Sequence, residues 1–185
     1  MIILASASPR RRELLEQIGV EFEVCVSEAK EVTSAENPRE LTLLNAKAKA
    51  MAVAKEKKDF WILGADTVVA LDNKIYGKPK DESDAFNMLK TFANRTHEVI
   101  TGIVLLKGDK CFERAVVTKV TFGNMSDSEI ADYIATKEPM DKAGAYAVQG
   151  KAAKYIKEII GSYSNVVGLP LYELNELFKE AEVFT

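Results

Sequence analysis

Residues 2–19 of the chain read IILASASPRRRELLEQIG: an apolar triplet, a run of small residues, and a stretch that begins with proline and ends with glycine. The apolar triplet predicts a short buried strand. Ser8 and Pro9 are typical of a helix start, as the N-cap and the first helical residue, and Gly19 predicts the helix end. The segment therefore predicts a strand that turns directly into a helix.

Strands and helices alternate along the rest of the chain. The sequence predicts strands at 22–26, 61–71, 75–76, 96–106, 111–122 and 155–160. It predicts helices from Asn37, from about Asp81 to Ala93, from Ser126 to about Thr136, and from Pro170. The strands on either side of Gly108-Asp109 form a long antiparallel hairpin. Because crossover units are mixed with this hairpin, we expect an α/β protein with a mixed sheet.

The helix that begins at Asn37 and Pro38 has Glu40 at the capping-box position. Apolar residues recur along it at helical spacing, which predicts one face directed at the core. This predicted apolar face consists of Leu41, Leu44, Ala48 and Met51.

The composition limits the classes of function. The chain has 185 residues, is 47% hydrophobic and carries a net charge of −3, so a real core and a well solvated surface are expected. A mildly acidic chain argues against broad nucleic-acid binding, which needs a basic surface. No apolar stretch approaches the roughly 18 residues of a membrane helix, and no secretory signal is recognisable. We therefore expect a cytoplasmic protein that does not bind membranes.

No linker, repeat or low-complexity segment interrupts the chain, so residues 1–185 are expected to form one domain. Cys25 and Cys111 lack the spacing of metal ligands. They are expected to be buried or half-buried thiols in a reducing compartment.

The first candidate site is the strand-to-helix turn that contains Ser6, Ser8, Arg10 and Arg11. Free backbone N–H groups and the helix dipole favour an anion at such a turn. Arginines in a first helical turn are unfavourable beside that dipole, so their presence suggests that a bound anion compensates them. The alternative is an ordinary capped helix with solvated arginines.

The second candidate site is acidic. Asp66 interrupts the apolar strand at 61–71, where an unpaired buried carboxylate would be costly. It therefore caps a bend, acts as a base or binds a metal, unless it simply faces solvent. Glu31 lies in the loop before the second helix, where an ordinary surface acid is the competing interpretation. Such hard oxygen ligands suit Mg²⁺ or Mn²⁺, with phosphate oxygens and waters completing the shell.

Several lysines are further candidates. Lys47 and Lys49 lie on the predicted second helix, where lysines are usually solvated. Lys78 in Gly-Lys-Pro and Lys142 in Asp-Lys-Ala-Gly have constrained loop settings, and loops often carry function. His97, the only histidine, is interpreted as a structural hydrogen-bonding residue at a strand start. The sequence has no Gly-rich phosphate loop ending in Gly-Lys-Ser/Thr and no Cys/His zinc cluster.

These clusters together resemble the Maf family, the septum-formation-inhibitor-like nucleotide pyrophosphatases. The resemblance covers nearly the whole chain and rests on the order and spacing of short motifs. These are LASASPRR at 4–11, LGADTV at 63–68, GKP at 77–79, HEVITG at 97–102, DKAGAY at 141–146, QG at 149–150 and GSYSNVVGLP at 161–170. One departure follows the QG motif, where the family often has another glycine and this chain has Lys151, Ala152 and Ala153.

The resemblance implies a Maf/ITPase-like fold, an elongated mixed sheet flanked by helices, with two lobes and a cleft between them. It also implies metal-dependent attack at the α-phosphate of a nucleoside triphosphate, which yields the monophosphate and pyrophosphate. The catalytic positions of the family fall on Asp66, Glu31, Lys47 and Lys78, the first two also being metal ligands. Its substrate-binding positions fall on Ser6, Arg10, Arg11, Thr67 and Gln149. Among these, Arg11, Thr67 and Gln149 resemble the branch that prefers dTTP and UTP.

The residue types suit this chemistry. Arg10, Lys47 and Lys78 could neutralise the charge that develops on the leaving pyrophosphate. Asp66 could take the proton of the attacking water, or could join Glu31 at a metal that lowers the pKa of that water. The sequence leaves these two roles open. The Gln149 amide offers one donor and one acceptor, which match the carbonyl and imide N–H of uracil or thymine.

Two other functions compete with this one. The first is a sibling-branch pyrophosphatase that removes modified nucleotides. The second is a nucleotide-binding regulator of cell division that needs no turnover, in line with the link to septum formation in the family's name. Glu31 and Asp66 distinguish an enzyme from such a regulator, because a protein that only binds nucleotides needs no base beside the metal. A homodimer is one assembly the chain could form.

Overall fold

A computed structural model describes residues 1–26 and 28–184. The strands in this part of the chain are β1 (Ile2–Leu4), β2 (Phe22–Val24), β3 (Trp61–Leu71), β4 (Lys74–Tyr76), β5 (Thr96–Lys107), β6 (Lys110–Phe122) and β7 (Ile156–Ile160). The helices are α1 (Pro9–Gln17), α2 (Pro38–Ala54), α3 (Glu82–Phe92), α4 (Asp127–Ala135), α5 (Tyr163–Val167) and α6 (Leu171–Glu180). Short 3₁₀ turns occupy Glu138–Asp141, Ala143–Ala145 and Lys151–Tyr155.

The strands form one mixed sheet in the order β2-β1-β3-β5-β6-β7, with β4 paired to β3. β1 is parallel to both β2 and β3, in a register that aligns Ile2 with Phe22 and with Trp61. β4 and β7 run antiparallel to β3 and β6, respectively. The predicted combination of crossover units and antiparallel strands is confirmed.

Local signals placed most elements correctly. Ser8, Asn37 and Asp81 cap α1, α2 and α3, each by accepting a hydrogen bond from a backbone N–H three residues on. Ser126 and Glu129 form the predicted capping box of α4. The differences are that β2 ends at Val24 rather than 26, and that the 3₁₀ turns and α5 were not predicted. These short segments have no 3.6-residue or 2-residue hydrophobic period to reveal them.

The chain divides into two compact units. The first comprises Met1–Asp66, Thr101–Val116 and the chain from Gly168 onward. The second comprises Thr67–Ile100 and Val117–Val167. Part of the first unit's core lies between α2 and the sheet, and includes Ile3, Ala5, Ala46, Ala50, Val53, Ile62, Val104 and Leu106.

The predicted apolar face of α2 is wrong. Leu41 is buried, but Leu44 and Met51 are 43% and 51% exposed, and the buried side carries Thr42, Asn45, Ala46, Ala50 and Val53. The reason is a close approach of backbones. A Cβ at Gly64 of β3 would overlap the Ala46 carbonyl oxygen, and one at Gly102 of β5 would lie 2.6 Å from the Thr42 carbonyl carbon. Only small side chains fit at such a contact, so Ala46 and Ala50 face the sheet, whereas Leu44 and Met51 are exposed.

The core of the second unit contains an aromatic group built around His97. The His97 ring packs 4.8 Å from Phe92 and 5.2 Å from Phe122, and its Nε2 atom lies 2.6 Å from the Tyr146 hydroxyl. Burial lowers the pKa of His97 to about 4, so the imidazole is neutral at physiological pH. The prediction of a structural hydrogen-bonding role is confirmed.

The structure also bears on the expectations for the two cysteines and for membrane helices. Cys25 is half-buried as expected, but Cys111 is exposed, because it lies near the start of β6 just after the hairpin turn. Within residues 1–26 and 28–184, no helix combines the length and the apolar character needed to cross a bilayer.

Candidate active site

The strand-to-helix turn after β1 is held together by Ser6 and Arg11. Ser6 is buried, and its Oγ accepts hydrogen bonds from the Ser8 N–H at 3.3 Å and from Arg11 Nη1 at 3.2 Å. Arg11 Nε donates to the Gly168 carbonyl at 2.7 Å, so it joins the SPRR motif to the GLP motif near the chain end. Ser6 and Arg11, two of the five predicted substrate-binding residues, are therefore in direct contact.

Arg11 is half-buried among groups of both charges. Its pKa is lowered to about 10, mainly by removal of the guanidinium from water. The charges of Asp66 and Glu31 raise that pKa, and the charge of Arg10 lowers it. Arg11 remains charged at neutral pH, and it is near enough to both predicted carboxylates to interact with them electrostatically.

The two predicted carboxylates share one ammonium group. Lys49 Nζ of α2 lies 3.1 Å from Asp66 Oδ1 and 3.2 Å from Glu31 Oε1. The same nitrogen donates to the Ala65 carbonyl at 3.3 Å. The side chain of Asp66 is only 13% exposed, whereas that of Glu31 is 58% exposed. Lys49 thus brings a strand carboxylate and a loop carboxylate to a single cationic centre.

Asn45, one helical turn before Lys49, holds the loop that carries Glu31. Its Oδ1 accepts from the Val32 N–H at 2.7 Å, and its Nδ2 donates to the Val32 carbonyl at 3.0 Å. Nδ2 also lies 3.5 Å from Asp66 Oδ2, at the outer limit of a hydrogen bond. This buried amide therefore orders an otherwise irregular loop beside Asp66.

Asn45 was not predicted as a site residue, and Lys49 was named as a candidate but was not among the predicted catalytic or binding residues. Their i, i+4 spacing places them on one side of α2, and the neighbouring Ala46 and Ala50 mark the side that faces the sheet. The sequence feature that marks Asn45 and Lys49 is therefore the row of small residues beside them. Lys47, the predicted catalytic lysine of this helix, is exposed and interacts electrostatically with the Cys111 thiol.

The other predicted site residues belong to the second unit. Thr67 is half-buried in β3, and Lys78 is exposed next to the buried Pro79. The Gly144 N–H donates to the Gly77 carbonyl at 3.1 Å, which joins the GKP motif to the DKAGAY motif. Gln149 is exposed in a turn after the buried residues 144–148.

The donor set fits a divalent cation shared with a substrate. In the described part of the chain, no group of three or more His, Cys, Asp or Glu residues could enclose a metal ion. Mg²⁺ is usually bound by one or two carboxylates together with waters and substrate phosphates, rather than by an all-protein cage. Glu31 and Asp66, which both contact the Lys49 ammonium group, suit that arrangement.

Comparison with known proteins identifies the family. A model described as "Maf-like protein" matches residues 1–181. The chain belongs to the Maf family. This Maf chain is 44% identical over 183 residues to a dTTP/UTP pyrophosphatase of Bacillus thuringiensis subsp. konkukian, covering 98% of this chain and 96% of that protein. It is 48% identical over 182 residues to one of Clostridioides difficile (97% and 94% covered), and 50% identical over 178 residues to one of Geobacter sulfurreducens (95% and 93% covered).

The Maf fold of this chain also resembles a solved structure. The structure of the Staphylococcus aureus Ham1 protein matches with a TM-score of 0.53 at 17% identity, and 98% of each chain is covered. At that identity the likeness concerns the fold alone, and it agrees with the mixed sheet flanked by helices that the sequence predicts.

Proposed function

We propose that this Maf protein is a nucleoside triphosphate pyrophosphatase that converts dTTP and UTP to the monophosphate and pyrophosphate. Relatives that are 44–50% identical over nearly their whole length carry the name dTTP/UTP pyrophosphatase. The structural observation that carries the proposal is the Glu31–Lys49–Asp66 cluster, whose carboxylates act electrostatically on Arg11 of the basic turn. Such a site combines anion-binding groups with a base and hard metal ligands.

Asp66 is the proposed general base. Its carboxylate is mostly enclosed and held by Lys49, so its position is defined, whereas Glu31 extends from a more exposed loop. Asp66 would accept a proton from the water that attacks the α-phosphorus. The phosphoanhydride bond between the α- and β-phosphates then breaks, and the electron pair leaves with pyrophosphate.

Cationic residues would stabilise the leaving group. A nucleoside triphosphate carries about four negative charges, and the transition state moves charge toward the β-phosphate. Arg10 and Arg11 at the start of α1 are the proposed partners in the first unit, and Lys47 on α2 is included on the strength of the family resemblance. Ser6, fixed by Arg11, would position a phosphate oxygen. Lys78, Thr67 and Gln149 are included on the strength of the family resemblance.

Glu31 and Asp66 would hold a divalent cation together with substrate phosphates. When bound, such an ion neutralises phosphate charge and lowers the pKa of a coordinated water. Lys49 would keep the two carboxylates together when the ion is absent, because it supplies the countercharge they need.

The proposed reaction is tested by hydrolysis of UTP in ¹⁸O-water with Mg²⁺ or Mn²⁺. Attack at the α-phosphorus yields UMP that carries the label and pyrophosphate that does not. Formation of UDP and orthophosphate, or label in pyrophosphate, would contradict the mechanism. Binding of UTP without turnover would indicate the nucleotide-binding regulator instead. A much higher kcat/KM for modified triphosphates would indicate the sibling branch.

A further inference from the structure

The turn that carries Gln149 is held at both ends by two side chains. At its far end, the Lys151 N–H donates to Oε2 of Glu138 at 3.1 Å and to Oε1 at 3.2 Å. At its near end, the Ala147 N–H donates to the Tyr133 hydroxyl at 3.1 Å. The Glu138 carboxylate lies close enough to the Tyr133 hydroxyl to add to the rise in its pKa, which is mainly caused by burial. A two-residue relay thus connects the start and the end of the segment 147–151.

Gly150 lets the carboxylate lie directly on the turn. A Cβ at this position would overlap the carboxylate of Glu138. The backbone φ of Gly150 is −103°, which any residue can adopt, so a side chain here would displace the Glu138 carboxylate and would not strain the backbone. The Gly150 N–H closes the turn by donating to the Ala147 carbonyl at 3.1 Å.

The relay is anchored on ordered structure. Tyr133 is 4% exposed within α4, whose start is secured by the Ser126–Glu129 capping box. Lys137 adopts a left-handed φ of 65° directly after the C-cap of α4, which is a common way for a helix to end, and it leads into the turn that carries Glu138. Lys142 Nζ also donates to the Glu138 carbonyl at 3.2 Å. These contacts fix the backbone that carries the Glu138 carboxylate.

We propose that Glu138 and Tyr133 are positioning residues for nucleobase specificity, which act by holding the turn that presents Gln149. This inference rests on the proposed function, in which Gln149 reads the base. An amide discriminates bases only if its donor and acceptor are held within about half an ångström of their productive positions. The Gln149 side chain is exposed, and the contacts at Ala147 and Lys151 hold the backbone on both sides of it, together with the Gly150–Ala147 turn bond.

The relay also accounts for the departure from the family pattern after the QG motif. Glu138 binds the backbone N–H of residue 151, so any side chain except proline satisfies it there. The glycine that matters is Gly150, on which the carboxylate lies. Lys151 itself is exposed.

The test compares kcat/KM for UTP over CTP in Tyr133→Phe, Glu138→Gln and Gly150→Ala, each alone and combined with Gln149→Ala. Tyr133→Phe removes only the hydroxyl, so it keeps the packing of α4. Exposed residues supply matched controls, namely Tyr172→Phe and Glu158→Gln. Loss of one such hydrogen bond should lower the UTP/CTP ratio by about threefold to tenfold. The KM for UTP should rise, while kcat stays within about twofold.

The double variants decide whether the effect passes through Gln149. If it does, Tyr133→Phe and Glu138→Gln leave the ratio unchanged once Gln149 is already alanine. An equal drop in both backgrounds, or an unchanged ratio in the single variants, would overturn the inference while leaving the proposed function intact. An unchanged ratio in Gln149→Ala itself would also overturn it. Failure of the wild-type protein to form UMP and pyrophosphate would instead refute the proposed function.

Discussion

Lys49 Nζ lies 3.1 Å from Asp66 Oδ1, and it contacts Glu31 from the same position. The side chain of Lys49 is 22% exposed, so this contact is shielded from water far more than the surface ion pairs of the chain, such as Arg12–Glu16. A mostly enclosed carboxylate such as Asp66, with a second carboxylate beside it and no cation, would be unfavourable. Lys49 is therefore an integral part of the acidic site.

Replacement of Lys49 by methionine removes the ammonium group that holds the Asp66 carboxylate. It should lower kcat/KM for UTP by about tenfold to a hundredfold, because a displacement of a catalytic group by about 1 Å has effects of that size. Lys49→Arg keeps the charge and should restore part of the activity. Lys55→Met, an exposed lysine at the end of the same helix, is the matched control. Steady-state kinetics of the three variants would show this order. Equal activity of Lys49→Met and the control would mean that Lys49 is dispensable.

Asp66→Asn should remove most of the turnover and leave the fold intact. Asparagine keeps the shape of the side chain, but it cannot accept the proton and is a weaker metal ligand. Loss of a general base typically costs about 10²-fold or more in rate. Single-turnover kinetics, with a thermal unfolding curve to confirm folding, is the measurement. Near-normal activity would make Asp66 a structural residue.

Gln149→Ala should reduce the preference for UTP over CTP more than it reduces the rate with UTP. Uracil presents an acceptor, a donor and an acceptor, and one amide can pair with two neighbouring groups. Cytosine inverts two of these groups, so the same amide orientation would oppose donor to donor. Unpaired buried groups cost about 1–3 kcal/mol, which corresponds to roughly tenfold to a hundredfold in specificity. The readout is the ratio of kcat/KM values, and an unchanged ratio would show that Gln149 does not read the base.

His97 should make the protein less stable in mild acid. Its folded-state pKa of about 4 is below the unfolded value near 6.5, so the unfolded chain binds the proton more readily between these values. Stability therefore falls as pH drops below about 6.5, and the loss levels off below about pH 4. This one group should cost about 2.5 kcal/mol between pH 7.5 and 4.5.

Urea unfolding of the wild type and of His97→Gln at these two pH values would measure that contribution. Glutamine keeps a hydrogen-bonding group toward the Tyr146 hydroxyl but does not titrate. The variant should be less stable than the wild type at pH 7.5, and it should lose about 2.5 kcal/mol less on acidification. Parallel losses in the two proteins would show that other groups cause the acid sensitivity.

Local chemistry was enough to predict much of the framework. Ser8, Asn37 and Asp81 can each satisfy an N–H at a helix start with a side-chain oxygen, and this depends only on nearby residues. The Asp72-Asn73 turn uses two residues that tolerate the positive φ values of 52° and 61° found there. Asp66 could be selected from its surroundings, because a carboxylate inside an apolar strand needs a partner, whereas Glu31 in its loop was selected through the family resemblance.

Tertiary structure alone decided which residues complete the site. The face that α2 buries depends on how closely its backbone approaches Gly64 of β3 and Gly102 of β5. These two strands are separate from α2 in the sequence. That approach favours alanine over leucine, and it turns Asn45 and Lys49 toward Glu31 and Asp66. The contact of Glu138 with Lys151 likewise joins residues 13 positions apart. The 3₁₀ turns between them have no hydrophobic period from which the contact could be predicted. Hydrophobic spacing reports which side chains prefer burial, but backbone separation determines which of them fit.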